Sequence, residues 1–86
     1  MDANDELLAL ADRIDADERT NALDVAIDLV LFRPCAHYVA IRANSAGTKA
    51  IYTDKDGNDH THWSIDWSAL PETAPALRSL AARAVA

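Results

Sequence analysis

From Asn4 to Arg33 the apolar residues recur at helical spacing, first as Leu7, Leu10, Ala11 and Ile14, then as Leu23, Ala26, Ile27, Val30 and Leu31. The two stripes do not share a phase: at about 3.6 residues per turn the first continues onto Glu18, Ala22 and Val25. The pattern predicts two helices, or one kinked helix, with a break between Asp15 and Asn21. Thr20 or Asn21 can cap the second helix, Asp24 sits well near its positive end, and Pro34 stops it. Between His37 and Trp67 the period becomes alternating and predicts strands at Tyr38 to Ala43, Thr48 to Thr53 and His60 to Ile65. The separators, Asn44 to Gly47 and Asp54 to Asn58, each hold a glycine suited to a tight turn. Such short connections imply an antiparallel three-stranded meander. Glu72 to Val85 reads as a closing amphipathic helix with Leu77, Leu80, Ala81, Ala84 and Val85 on its buried side.

The expected fold is α+β: N-terminal helices, a three-stranded antiparallel β-meander and a C-terminal helix. It forms one domain over residues 1–86, divided into an acidic helical segment (1–33), the meander (37–67) and the closing helix (72–85). Because a three-stranded sheet cannot hide an apolar face alone, helices are expected to lie over it on one face or both. Alternation within each strand puts Val39, Ile41, Ile51, Trp63 and Ile65 on one side and Tyr38, Arg42, Tyr52, His60, His62 and Ser64 on the other. Trp63 and Trp67 are expected to anchor the core, Trp67 having an exposed contact as its alternative.

Charge changes this picture more than composition does. Nine of the fourteen carboxylates fall within the first 28 residues, opposed only by Arg13 and Arg19, which leaves that third at −7. Six basic and five acidic groups leave the remaining 58 residues at +1, and the chain at −6. Such a field repels phosphate backbones and anionic membranes and attracts basic protein surfaces. Asp12, Asp15, Asp17, Glu18, Asp24 and Asp28 are the candidate contacts to a basic partner. Tyr38, Arg42, Tyr52 and His62 form a second candidate surface, since tyrosine and arginine suit protein interfaces.

No catalytic motif emerges. His60 and His62 share a strand face and can reach one ion, but a third ligand from His37 or Asp66 is not assured, so neither a metal nor any other cofactor is expected. The Asp54 to Asp59 stretch fails as a calcium loop, because Asp59 and Ile65 stand where glycine and glutamate are required. Cys35 and His37 lack an orienting partner, and Cys35 is expected to be a partly buried structural thiol. Gly47-Thr48-Lys49 lacks the first glycine of a phosphate loop and lies between strands. With one cysteine no intrachain disulfide can form. The acidic start is unlike a signal peptide, and apolar runs such as Leu29 to Phe32 are too short to span a bilayer. The expectation is a cytoplasmic protein in its host cell that binds neither nucleic acid nor membrane, as a monomer or homodimer.

The phrases Leu23-Asp24-Val25-Ala26-Ile27, Gly47-Thr48-Lys49-Ala50-Ile51-Tyr52 and Asp56-Gly57-Asn58, within the helix, meander, helix order of residues 22–81, resemble small phage and prophage proteins described as ABA-sandwich-like. The resemblance implies a phage-borne accessory protein and carries no catalytic residues. In size, charge and lack of an active site the chain also looks like anti-CRISPR inhibitors, which bind effector complexes. It implies a non-enzymatic inhibitor that covers the DNA-binding surface of a CRISPR surveillance complex as a DNA mimic. A phage structural or assembly protein, and a small metal-dependent enzyme using His60 and His62, are the alternatives.

Overall fold

The computed structural model describes residues 3–84; Val85, expected in the closing helix, lies outside them. Helix α1 (Ala3–Asp15) buries Leu10, Ala11 and Ile14, the stripe seen in the sequence. It ends where Glu18 N–H reaches the Arg13 carbonyl (3.1 Å) and Asp17 N–H that of Ile14 (2.9 Å), a pairing that requires a left-handed residue between. Asp17 takes that conformation at φ 65°. The chain reverses, and Thr20 opens α2 (Asn21–Leu31) by accepting the Leu23 N–H on its hydroxyl (3.1 Å), a cap contributing about 1 kcal/mol. Two helices, not one kinked helix, thus occupy the acidic third.

Strands β1 (Tyr38–Ala43), β2 (Ala50–Asp54) and β3 (Asp59–His62) form an antiparallel sheet in the order β1-β2-β3. Asn44 Oδ1 accepts from the N–H groups of Thr48 and Lys49 in the first turn, and Asp54 Oδ1 from those of Asp56 and Asn58 in the second. Gly47 (φ 70°) and Gly57 (φ 85°) supply the left-handed residue in each. β3 stops at His62, short of the expected Ile65. A 3₁₀ turn (Trp67–Ala69) then leads into α3 (Thr73–Ala84), which packs along α1. The fold is α+β, as expected.

Of the two expected layerings the one-face arrangement is found, with α2 alone among the helices lying against the sheet. The core joins Leu10, Ala11 and Ile14 of α1, Leu23 and Ile27 of α2, and Ala74 and Leu77 of α3, with Trp67 packed against it. It lies among helices, whereas the sheet rests on α2 through one face. α2 has the α1/α3 pair on one side and the sheet on the other, and five of its residues between Leu23 and Asp28 are buried.

Face assignment is corrected as well. Cross-strand pairing aligns Ile41 with Tyr52 and His60, and Ala43 with Ala50 and His62, so these share the face turned toward α2. Arg42 aligns with Ile51 and Thr61 on the opposite face. The register shifts between Tyr38 and Ala40, a bulge that breaks parity and brings the Tyr38 ring over Tyr52 (centroids 5.1 Å apart). Because alternation fixes sides only within one strand, the relative phase of three strands was not available to it. Trp67 packs against the core as expected, whereas Trp63, beyond the end of β3, is 63 % exposed and does not anchor it. Cys35 is exposed, not partly buried, because its loop runs over the surface after Pro34 and ties back through Cys35 N–H to the Tyr38 carbonyl (2.8 Å).

Candidate functional site

The ten residues expected to meet a partner divide into three groups. Asp24 and Asp28, one turn apart on α2, are buried at 5 % and 8 % exposure, which corrects their assignment to a contact surface. Asp24 Oδ1 accepts the Ser68 N–H (2.8 Å) at the 3₁₀ turn. Asp28 Oδ2 accepts the Tyr52 hydroxyl (2.5 Å) from β2 and the Ser64 hydroxyl (3.2 Å) from the segment after β3. Both carboxylates therefore fasten later parts of the chain to α2. A signal for this was present: α2 is apolar around nearly its whole circumference, and a helix of that kind is buried with whatever charges it carries.

Tyr52 belongs to this network. Burial, and then the Asp28 carboxylate beside it, push its phenol well above the ordinary tyrosine value. A group whose folded pKa is raised keeps its stabilising contribution below the unfolded value and loses it as pH rises past that value. Stability is expected to hold up to about pH 10 and to fall above it. In a Tyr38→Phe background, where Tyr52 is the one tyrosine left, absorbance titration against far-UV circular dichroism should show Tyr52 ionising only as the fold is lost; early ionisation at full ellipticity would contradict the contact.

The second group is at the surface. Asp12, Asp15 and Asp17 are exposed and Glu18 half-buried, around the end of α1 and the turn after it. Arg78 of α3 reaches Asp12 (2.9 Å) and Asp15 (2.6 Å), and both carboxylates raise its pKa. Arg13 pairs with Glu18, whose carboxyl it holds below the usual range. Arg19 stands 3.6 Å from Asp17. The acidic field survives in part, because Arg78 answers two carboxylates at once, and Glu6 adds to it from the first turn of α1.

The third group does not form one surface. Tyr38, Tyr52 and His62 line the α2-facing side of the sheet, with the His62 ring 5.8 Å from that of Tyr52. Arg42 points away on the other face, bonded to Asp59 (2.6 Å), whose carboxyl it holds low. His60 sits against Asp54 (2.9 Å) beside an open groove shared with His37, Tyr38, Lys55 and Asp56. Among the described residues no set of three or more His, Cys, Asp or Glu is arranged to hold a metal ion, and no helix is long and apolar enough to cross a membrane. Compared with family models, with curated proteins and with solved structures, the chain finds no match.

Proposed function

We propose that the protein acts as a stoichiometric inhibitor that binds a protein with a basic surface, in the manner of an anti-CRISPR protein covering the DNA-binding surface of a CRISPR effector complex. The observation that carries this reading is the cluster of exposed carboxylates at the end of α1 and the following turn, Asp12, Asp15 and Asp17, at the helical end of a molecule whose sheet is nearly neutral. Such a field steers association with a basic surface and sets its salt dependence. The phage setting comes from the sequence resemblance; the geometry contributes the surface and its charge.

The test is a pull-down with tagged protein from a host lysate containing an active CRISPR system, washed at moderate and then high salt. One defined complex, lost at high salt, is the expected result. The triple variant Asp12→Asn, Asp15→Asn, Asp17→Asn keeps the shape of the turn and an acceptor for Arg78. It should bind about tenfold more weakly, at a few tenths of a kcal/mol per exposed charge, with a flatter salt dependence. Wild-type affinity in that variant, or capture of no partner, would remove the electrostatic inhibitor from consideration.

A further inference from the structure

A groove of about 560 Å³ lies between the loop before β1 and the turn joining β2 to β3, lined by His37 and Tyr38 from the first and by Asp54, Lys55, Asp56 and His60 from the second and its flanks. That volume falls within the roughly 300–1,000 Å³ of small-molecule sites. Its donors are unused. Among the described residues the Lys55 ammonium and the His37 imidazole have no partner, and the Tyr38 hydroxyl makes no hydrogen bond. Asp54, in contrast, is occupied: Oδ1 accepts the N–H groups of Asp56 and Asn58 (2.9 Å each), and Oδ2 stands 2.9 Å from His60 Nε2. Three donors thus share the charge of that carboxylate, and the contact on Nε2 leaves His60 Nδ1 unbonded. The His60 ring meets that of Tyr38 edge-on, with centroids 5.9 Å apart.

We infer that this groove binds a phosphate monoester carried on a planar ring, the chemistry of a nucleoside monophosphate. The donors select the anion. Lys55 comes from a turn, His37 from a loop, Tyr38 from β1 and His60 from β3, so they approach from several directions. Such a set suits the three terminal oxygens of a tetrahedral phosphate better than a planar carboxylate. Size and rings select the rest of the ligand, since a bare phosphate fills little of this volume and the Tyr38 and His60 rings offer faces on which a base can stack. Asp56, whose carboxylate has no partner among the described residues, supplies an acceptor for sugar hydroxyls. The field of the acidic third is remote: α1 packs on α3 and α2, and the residues after the first 28 sum to +1. The groove shares no residue with the exposed carboxylates of Asp12, Asp15 and Asp17, and the inference does not rest on their assignment to a basic partner.

The test is a titration of isotopically labelled protein with adenosine monophosphate, inorganic phosphate and adenosine, followed by amide chemical shifts. Adenosine monophosphate should bind with a Kd of about 0.1–1 mM, as suits an open groove, and move the amides of residues 36–38 and 54–60. Phosphate alone and adenosine alone should each bind at least about tenfold more weakly, because each engages one half of the site. The double variant His37→Ala, Lys55→Ala alters two exposed side chains without partners, so circular dichroism should be unchanged while affinity for adenosine monophosphate falls at least about tenfold. Lys49→Ala removes a cation outside the groove and should leave binding intact. Absence of shifts up to about 10 mM ligand, beyond the range of weak specific binding, would overturn the inference. Wild-type affinity in the double variant, or an equal loss in Lys49→Ala, would overturn it too. Equal affinity for phosphate and for adenosine monophosphate would remove the nucleotide and leave a bare-anion contact.

Discussion

Replacing Asp28 with alanine is expected to destabilise the fold by about 2–3 kcal/mol in urea unfolding, far more than removal of any carboxylate on α1. The carboxylate accepts two hydroxyl donors from distant parts of the chain, Tyr52 and Ser64, and a charged acceptor strengthens each bond. Once it is gone both hydroxyls lose their partner in a half-buried setting, where an unmade bond costs about 1–3 kcal/mol. Tyr52→Phe removes one donor and leaves Ser64 in place, so it should cost less, about 1–2 kcal/mol. The double variant should fall short of the sum of the single ones, because the two side chains share one bond. Additivity within about 0.5 kcal/mol would mean that the contact is not made in solution. The sheet touches the rest of the molecule mainly through α2, so the loss should appear first as faster hydrogen exchange in β1 to β3.

Leu77→Ala is expected to have the larger effect, about 3–5 kcal/mol. Leu77 is fully buried at the meeting of all three helices, with Leu10, Ile14, Leu23 and Ala74 in the same cluster. Removing three carbons there forfeits their transfer free energy and leaves a cavity that paired helices collapse around only in part. A domain of this size has roughly 5–10 kcal/mol to lose, so the variant should be substantially unfolded at 37 °C and show a lower urea midpoint with an unchanged slope. A loss below about 1 kcal/mol would place the core elsewhere than among the helices. Trp63→Ala makes the contrast: a larger side chain deleted from an exposed position should shift stability by no more than about 0.5 kcal/mol.

These two sites show where sequence pattern suffices and where it does not. The limits of β1, the break after Asp15, the Thr20 cap and the left-handed glycines at 47 and 57 are all legible, because neighbours within a few residues decide them. Leu77 is legible too, since a helix needs an apolar stripe and Leu77 lies at its middle. Carboxylates usually belong at the surface, yet Asp24 and Asp28 are set in the one helix with almost no polar side. That composition, read for the whole helix rather than residue by residue, would have placed them inside.

The order of elements, their approximate limits, the turns between them and the concentration of negative charge in the first third can all be read from the residues in line. Each follows from short-range geometry or from a count of ionised groups. That α2 lies between the α1/α3 pair and the sheet, which acidic residues face water, and which side of the sheet is left bare emerge from the packed fold alone. Those outcomes depend on the register between strands, on the bulge at Tyr38 and on which layer reaches α2. They are contacts between residues tens of positions apart, and no local periodicity encodes them.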